Sequence, residues 1–160
     1  MDPSLQEELM AAAIEVSKAG VAAGQSPFGA VIAGASGEIV CATHNTVRAT
    51  CDPTAHAEVN AIRASCRHMG VIDLSGHVMA TTCEPCPMCA AAIHWARLDG
   101  VIIGASIEDA EQAGFNELAL PCTTVFESGQ RRVTVLGSAL RKECTELFNL
   151  WKEGPNPTPY

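Results

Sequence analysis

The amino-acid sequence predicts an α/β fold in which helices pack against the faces of a sheet. Segments with apolar residues at helical spacing alternate along the chain with short β-rich runs, and this alternation is typical of layered α/β proteins. The chain has 160 residues, which is the length of one ordinary domain with a sizeable core. We therefore expect residues 1–160 to form a single domain.

The N-terminal part of the chain is predicted to contain a long helix followed by a β-hairpin. Apolar residues recur at helical spacing over residues 4–23, and the glycine and proline within residues 24–27 then end the helix. Residues 28–33 and 38–43 are short β-rich runs separated by a glycine-containing turn. This pattern predicts a hairpin formed by strands one and two.

The rest of the chain is predicted to add three helices and three strands. Thr54, which follows Pro53, is the expected N-cap of a helix over residues 55–67. Gly70 lies beyond the other end of this helix, where a glycine commonly ends one. Pro85 or Pro87 suits the first turn of the next helix, which is expected to end near residue 98. The strands are predicted at residues 77–82, 101–105 and 132–136, and the last helix at residues 139–151.

The charge and hydropathy of the chain limit its partners and its location. It carries 10 Lys and Arg against 18 Asp and Glu, a net charge of −8, whereas binding to a phosphate backbone depends on clustered Lys and Arg. A large nucleic-acid partner is therefore disfavoured. No apolar run approaches the roughly 18 residues of a membrane span, and the N-terminus lacks a secretory pattern. We expect no membrane partner and a cytoplasmic location.

The eight cysteines indicate metal ligation and free thiols in a reducing compartment. Three of them lie within the seven residues 83–89, and the others sit among apolar neighbours. This distribution is unlike the framework of a disulfide-stabilised secreted domain.

Two short motifs at predicted helix starts form a candidate zinc site. The first is His56-Ala57-Glu58, and the second is Pro85-Cys86-Pro87-Met88-Cys89. Zinc binds His and Cys in tetrahedral geometry, and a catalytic site keeps three protein ligands and one open position. His56, Cys86 and Cys89 supply these three ligands. The helix N-terminus also favours the thiolate form of cysteine.

Glu58 is better suited to move protons than to bind the metal. As a fourth ligand it would fill the open position, whereas a carboxylate near activated water can accept its proton. The two motifs in this order are typical of zinc-dependent nucleobase deaminases. One alternative stays open, because Cys83 has the same spacing to Cys86. A fourth ligand there would make the zinc purely structural.

The chain resembles the cytidine-deaminase-like superfamily and, within it, the bacterial guanine deaminases. The likeness covers nearly the whole chain and is carried by Pro27-Phe28-Gly29-Ala30-Val31, Asn45, Asp52-Pro53-Thr54-Ala55-His56-Ala57-Glu58, Cys83-Glu84-Pro85-Cys86-Pro87-Met88-Cys89, Trp95-Ala96-Arg97, Ala113-Gly114-Phe115 and Tyr160. It implies a three-layer α/β/α fold with a mixed five-stranded sheet. It also implies a homodimer in which the C-terminal segment, residues 153–160, closes the active site and is exchanged between subunits.

The resemblance also implies roles for individual residues. Glu117 would be a second proton shuttle, replacing the Asp of the family, and each subunit would bind one zinc ion. The expected contacts to the substrate come from Phe28, Asn45, Ala57, Trp95 and Tyr160. Without the family resemblance, four of these residues would be assigned structural or surface roles. They are Asn45 as a loop residue, Trp95 as a core or interface anchor, Glu117 as a solvated acid and Tyr160 as a frayed terminus.

The activity implied by the resemblance is hydrolytic deamination of a free purine base, with guanine converted to xanthine and ammonia. Three alternatives stay open. A deaminase of adenosine in transfer RNA shares the zinc motif but must hold a polyanion, which the acidic balance of this chain disfavours. A deaminase of cytosine or an amino-triazine is distinguished by the shape of the pocket and not by the motif. The last is the non-catalytic zinc module.

Overall fold

A computed structural model describes residues 1–159 of the chain. The strands are β1 (Gly29–Gly34), β2 (Ile39–His44), β3 (His77–Cys83), β4 (Gly100–Ala105) and β5 (Thr134–Ser138). The helices are α1 (Pro3–Ala22), α2 (Val47–Thr50), α3 (Ala57–Met69), α4 (Pro87–Trp95), α5 (Ile107–Ala113), α6 (Cys122–Glu127) and α7 (Arg141–Lys152).

The five strands form one mixed sheet in the order β2-β1-β3-β4-β5. β1 pairs antiparallel with both β2 and β3, whereas β3, β4 and β5 run parallel. The parallel connections pass through α4 and through the α5 and α6 region, as parallel strands require a crossover. The mixed five-stranded sheet expected from the resemblance is confirmed.

Helices cover both faces of the sheet, because the inner strands are apolar on both sides. On β1, Val31 and Ala33 join one buried cluster, whereas Ala30 and Ile32 join a second, as the two-residue period of a strand requires. The first cluster contains side chains of α1, α5 and α7, and the second contains side chains of α3, α4 and α6. This arrangement confirms the three-layer α/β/α architecture.

Several element boundaries differ from the sequence predictions. Thr54 is not the N-cap of α3, because its backbone N–H and hydroxyl both donate to Asp52 Oδ1 in a preceding turn. His56 occupies the N-cap position instead. α4 ends at Trp95, and Arg97 follows with a left-handed φ of 61°. The sequence analysis missed α2, α5 and α6, since helices of four to seven residues are too short to show a period.

Within residues 1–159, no helix has the combined length and apolar character that spanning a bilayer demands.

Gly29 marks the closest approach of α1 to the sheet. A Cβ atom there would overlap the backbone oxygen of Ala13 and lie 3.0 Å from Ser17 Cβ. We predict that Gly29→Ala lowers the free energy of unfolding by about 1–3 kcal/mol, because α1 must move away from β1. Urea denaturation measures this change. An unchanged urea midpoint would contradict the close contact between α1 and β1 at Gly29.

Candidate metal centre and active site

Three side chains with metal-ligating atoms converge at the N-terminal ends of α3 and α4. His56 and Cys86 are the N-cap residues of these helices, and both have extended backbone angles. Cys89 lies one turn further along α4 and is buried. The Nδ1 atom of His56 is 3.7 Å from Cys86 Sγ and 3.5 Å from Cys89 Sγ.

These distances fit a tetrahedral zinc site. With Zn–N near 2.0 Å and Zn–S near 2.3 Å, tetrahedral angles place a nitrogen and a sulfur about 3.5 Å apart. The ligand atoms of His56, Cys86 and Cys89 all lie within 4.8 Å of one another. The histidine and thiolate donors are also the types that zinc prefers. Both the geometry and the chemistry of the three side chains therefore fit the ion.

Cys83 does not join these ligands. Its side chain is buried at the end of β3, and its Sγ atom donates a hydrogen bond to the Ser106 carbonyl at 3.6 Å. The group of potential ligands found among residues 1–159 contains His56, Cys86 and Cys89 without Cys83. The arrangement is thus the three-ligand set of a catalytic site and not the four-ligand set of a structural one.

The three side chains differ in how readily they lose a proton. A hydrogen bond from Cys89, together with the contact to His56, lowers the pKa of Cys86 to about 4 despite partial burial. The same hydrogen bond and burial raise the pKa of Cys89 well above its ordinary value. Burial lowers the pKa of His56, but contacts with Cys86 and the charge of Glu58 outweigh burial and raise it. The cluster therefore contains one thiol, that of Cys86, which is readily negative and suits a cation.

Glu58 lies beside this cluster in the first turn of α3. Its side chain is buried, and burial raises the pKa of its carboxyl to about 7, although the nearby His56 opposes the shift. A carboxyl group with such a pKa exchanges a proton readily near neutral pH. This environment suits the proton-transfer role that the sequence predicts.

A cavity of about 240 Å³ opens next to the ligands and Glu58. Phe28 forms part of its wall and contacts Phe115 edge to face, with ring centroids 4.9 Å apart. Among residues 1–159, its lining contains three glutamates and no Lys or Arg. The lining residues are Phe28, Pro53, His56, Glu58, Cys83, Glu84, Cys86, Met88, Phe115, Asn116, Glu117 and Leu118.

Glu117 reaches the cavity from the segment of residues 114–121 between α5 and α6. It is half-buried, and burial and the negative charge of Cys86 raise the pKa of its carboxyl. The structure therefore brings together Glu58 and Glu117, the two predicted proton carriers, in one cavity.

Four other residues were predicted to contact the substrate, and none of them is among the described residues that line the cavity. Asn45 is fully buried behind the cavity wall, where its side-chain oxygen accepts from the Val47 N–H and its backbone N–H donates to Phe28. Ala57 is buried at the start of α3. Trp95 is 79% exposed beside Ile72 and lies outside the cavity. Tyr160 lies outside the described residues. The substrate contacts of these four residues stay predictions.

The sequence analysis assigned no function to several residues of the cavity wall, among them Glu84, Met88, Phe115 and Leu118. Glu84 and Met88 lie inside the cysteine motif, and Phe115 follows Gly114 in a segment already matched to the family. Their position beside predicted site residues was a usable signal. Leu118 directly follows the predicted Glu117, so its position in the sequence carried the same signal.

Comparisons with known proteins agree with this geometry. Residues 3–105 match the family model of the cytidine and deoxycytidylate deaminase zinc-binding region. The chain is 36% identical over 155 residues to guanine deaminase from Bacillus subtilis, and the match covers 96% of this chain and 98% of that protein. It is 39% identical over 101 residues to the tRNA-specific adenosine deaminase of the same organism, with 62% of each covered.

A solved structure of guanine deaminase from Nitrosomonas europaea superimposes with a TM-score of 0.82 at 26% identity, covering 92% of this chain and 84% of that one. The family model covers more than half of the chain and includes His56, Cys86 and Cys89. The chain therefore belongs to the cytidine and deoxycytidylate deaminase family and is a hydrolytic deaminase.

Proposed function

We propose that this protein is a zinc-dependent deaminase that converts free guanine and water to xanthine and ammonia. The choice of guanine rests on how much of the chain is similar to guanine deaminase. The match to guanine deaminase covers 96% of the chain, whereas the match to the tRNA-specific deaminase covers 62%. The guanine deaminase match thus extends well past residue 105, into the region that supplies Glu117 to the cavity.

The cavity itself supports a small uncharged substrate. Its volume of about 240 Å³ is below the roughly 300–1,000 Å³ of pockets that hold drug-sized ligands. Phe28 and Phe115 offer apolar rings to a flat base. The lining carries Glu58, Glu84 and Glu117 but no basic side chain except His56. Such a wall repels phosphates, so the geometry favours a free base over transfer RNA.

The chain's own residues divide the work of the reaction. His56, Cys86 and Cys89 would hold the zinc. When bound, zinc supplies a Lewis acid that lowers the pKa of water to about 7 and so provides the nucleophile for C2 of guanine. Glu58, beside the ligands and facing the cavity, accepts the proton released from the water and delivers it to the ring nitrogen next to C2. Its burial keeps bulk water from competing for that proton.

The second half of the reaction needs a proton on the amino group. Glu58 or Glu117 supplies it and takes up the remaining proton from the oxygen now bonded to C2, the carbon–nitrogen bond breaks, and ammonia leaves with that electron pair. The oxygen of the water remains on C2 as the carbonyl oxygen of xanthine, so one water is consumed for each ammonia. Two carboxyl groups in one small cavity are sufficient for both transfers.

We also propose a homodimer, as expected from the sequence. Trp95 is 79% exposed and Ile72 is 88% exposed, and association would remove this apolar surface from water. In the described chain the C-terminal segment lies on its own subunit, where Arg48 Nη2 donates to the Thr158 carbonyl. Exchange of residues 153–160 between subunits, and closure of the site by Tyr160, remain predictions.

The cytoplasmic location stays a proposal that rests on thiol chemistry. All eight cysteines are free, and Cys86 and Cys89 must remain reduced to bind zinc. A reducing compartment maintains both conditions.

We predict that Cys89→Ala loses zinc, whereas Cys83→Ala retains about one zinc per chain. Cys89 is one of the three converging ligands, and the Cys83 thiol points to Ser106 instead. Metal analysis of the purified variants, with wild type as reference, measures the stoichiometry. Loss of zinc from Cys83→Ala would contradict the three-ligand site.

We predict that the zinc-loaded protein releases ammonia from guanine and that Glu58→Gln lowers kcat by about 10²–10⁴-fold, the usual contribution of a general acid–base group. The variant should keep its zinc, because Glu58 is not a ligand. Ammonia release is measured for guanine, guanosine, cytosine, cytidine, adenine, adenosine and an amino-triazine.

Each result of that panel has a separate meaning. Release from a different ring would refute the choice of guanine but keep the chemistry. Retained turnover in Glu58→Gln would refute the role of Glu58. If the whole panel is inactive and the zinc is bound, transfer RNA becomes the substrate to test.

A further inference from the structure

Segment 114–121, which carries Glu117 into the cavity, contains neither helix nor strand. Among the described residues, its hydrogen bonds to other parts of the chain lie near its ends, and the Leu120 N–H bonds only to Leu118 within the segment. Leu118 is 66% exposed and contributes little buried packing. The position of Glu117 therefore depends on how the two ends of the segment are held.

The N-terminal end is held by aromatic packing. Phe115 is buried, and its ring centroid lies 4.9 Å from that of Phe28 and 4.8 Å from that of Trp151. Its backbone N–H also donates to the Ala110 carbonyl at 3.1 Å. This end is thus tied to β1, α5 and α7.

The C-terminal end is held by burial of Cys122 in the core and by a hydrogen bond to a side chain of the metal-binding loop. Cys122 is the first residue of α6, and the N-cap residue Pro121 makes no side-chain hydrogen bond to the helix. The Cys122 N–H donates instead to Glu84 Oε1 at 3.0 Å. A carboxylate at this place is also favoured by the partial positive charge of a helix N-terminus.

Glu84 is itself firmly placed relative to the metal ligands. Its backbone N–H donates to the Ala105 carbonyl at 2.9 Å, which continues the pairing of β3 with β4. It precedes Cys86 by two residues. The bond from Glu84 to Cys122 therefore connects the loop that binds the metal to the segment that carries Glu117.

We propose that Glu84 is a positioning residue that, through the Cys122 N–H, sets the distance between Glu117 and the metal centre. The inference rests on the proposed function, in which Glu117 moves a proton. Glu84 also lines the cavity, so a direct effect of its charge on the substrate is the rival explanation. Glutamine at this position keeps an oxygen that accepts from the Cys122 N–H but loses the negative charge. Positioning therefore predicts that Glu84→Gln keeps its activity, whereas a charge effect predicts that it loses activity.

The test compares Glu84→Ala and Glu84→Gln in the zinc-loaded protein, with ammonia release from guanine as the readout. We expect Glu84→Ala to lower kcat by about 10–100-fold, since small displacements of a catalytic group are that costly. Glu84→Gln should recover activity to within about threefold of wild type. In a Glu117→Gln background, Glu84→Ala should add less than about a twofold loss, because the two residues act as a unit.

Two variants of Cys122 test the hydrogen bond from the Cys122 N–H to Glu84 by changing its donor. Proline is tolerated at the first helical position, so Cys122→Pro removes the N–H with little change to the start of α6. Cys122→Ala keeps the N–H and removes the thiol, which also contacts Glu84, so it is the control for the thiol that Cys122→Pro loses as well. We expect Cys122→Pro to reproduce the loss of Glu84→Ala and Cys122→Ala to stay within about threefold of wild type.

Amide hydrogen exchange of residues 116–122 provides a readout that does not depend on activity. Glu84→Ala should accelerate exchange in this segment by about tenfold, and Glu84→Gln should not. Normal exchange and activity in Glu84→Ala, equal losses in the Ala and Gln variants, or losses that multiply with Glu117→Gln would overturn the inference. Wild-type protein that is inactive on every base would refute the proposed function instead, and the exchange result would still decide whether Glu84 holds the segment.

Discussion

The site depends on the convergence of two helix N-termini on one face of the sheet. His56 and Cys86 precede α3 and α4 directly, and their side chains meet although they are 30 residues apart in the sequence. Small residues allow this approach, since Ala57 and Ala61 of α3 and Ala90 of α4 are all fully buried in the shared cluster. Larger side chains there would push the two helix starts apart and separate the ligands.

The same convergence explains the electrostatics of the cavity. Cys86, Glu58 and Glu117 meet in a partly buried space, where burial and the negative charge of Cys86 raise the pKa of both glutamates. Such a cluster is destabilising without compensation. A bound cation offers that compensation, and the two helix N-termini direct partial positive charge to the same place. The proposed metal binding and the proposed proton transfer by the glutamates would thus depend on one electrostatic arrangement.

The rigid part of the site and its less regular wall are built differently. His56, Glu58, Cys86 and Cys89 lie at the ends or in the first turns of helices that pack on the sheet, so the core holds them directly. Glu117 instead depends on the packing of Phe115 and on the bond between Glu84 and Cys122. Substrate preference can change through such a segment without disturbing the metal centre, which agrees with the variety of substrates named among the relatives.

The sequence by itself determined the α/β alternation and predicted the His56, Cys86 and Cys89 cluster that the fold brings together. Periodicity and motif spacing are local properties, and ligands at the start of a helix are readable from a few residues. Tertiary structure decided that Cys83 points to Ser106, that Asn45 is buried, that Trp95 is exposed and that Glu84 meets Cys122. The Cys83–Ser106 and Glu84–Cys122 contacts join residues 23 and 38 positions apart, and such contacts form only once the sheet has brought the segments together.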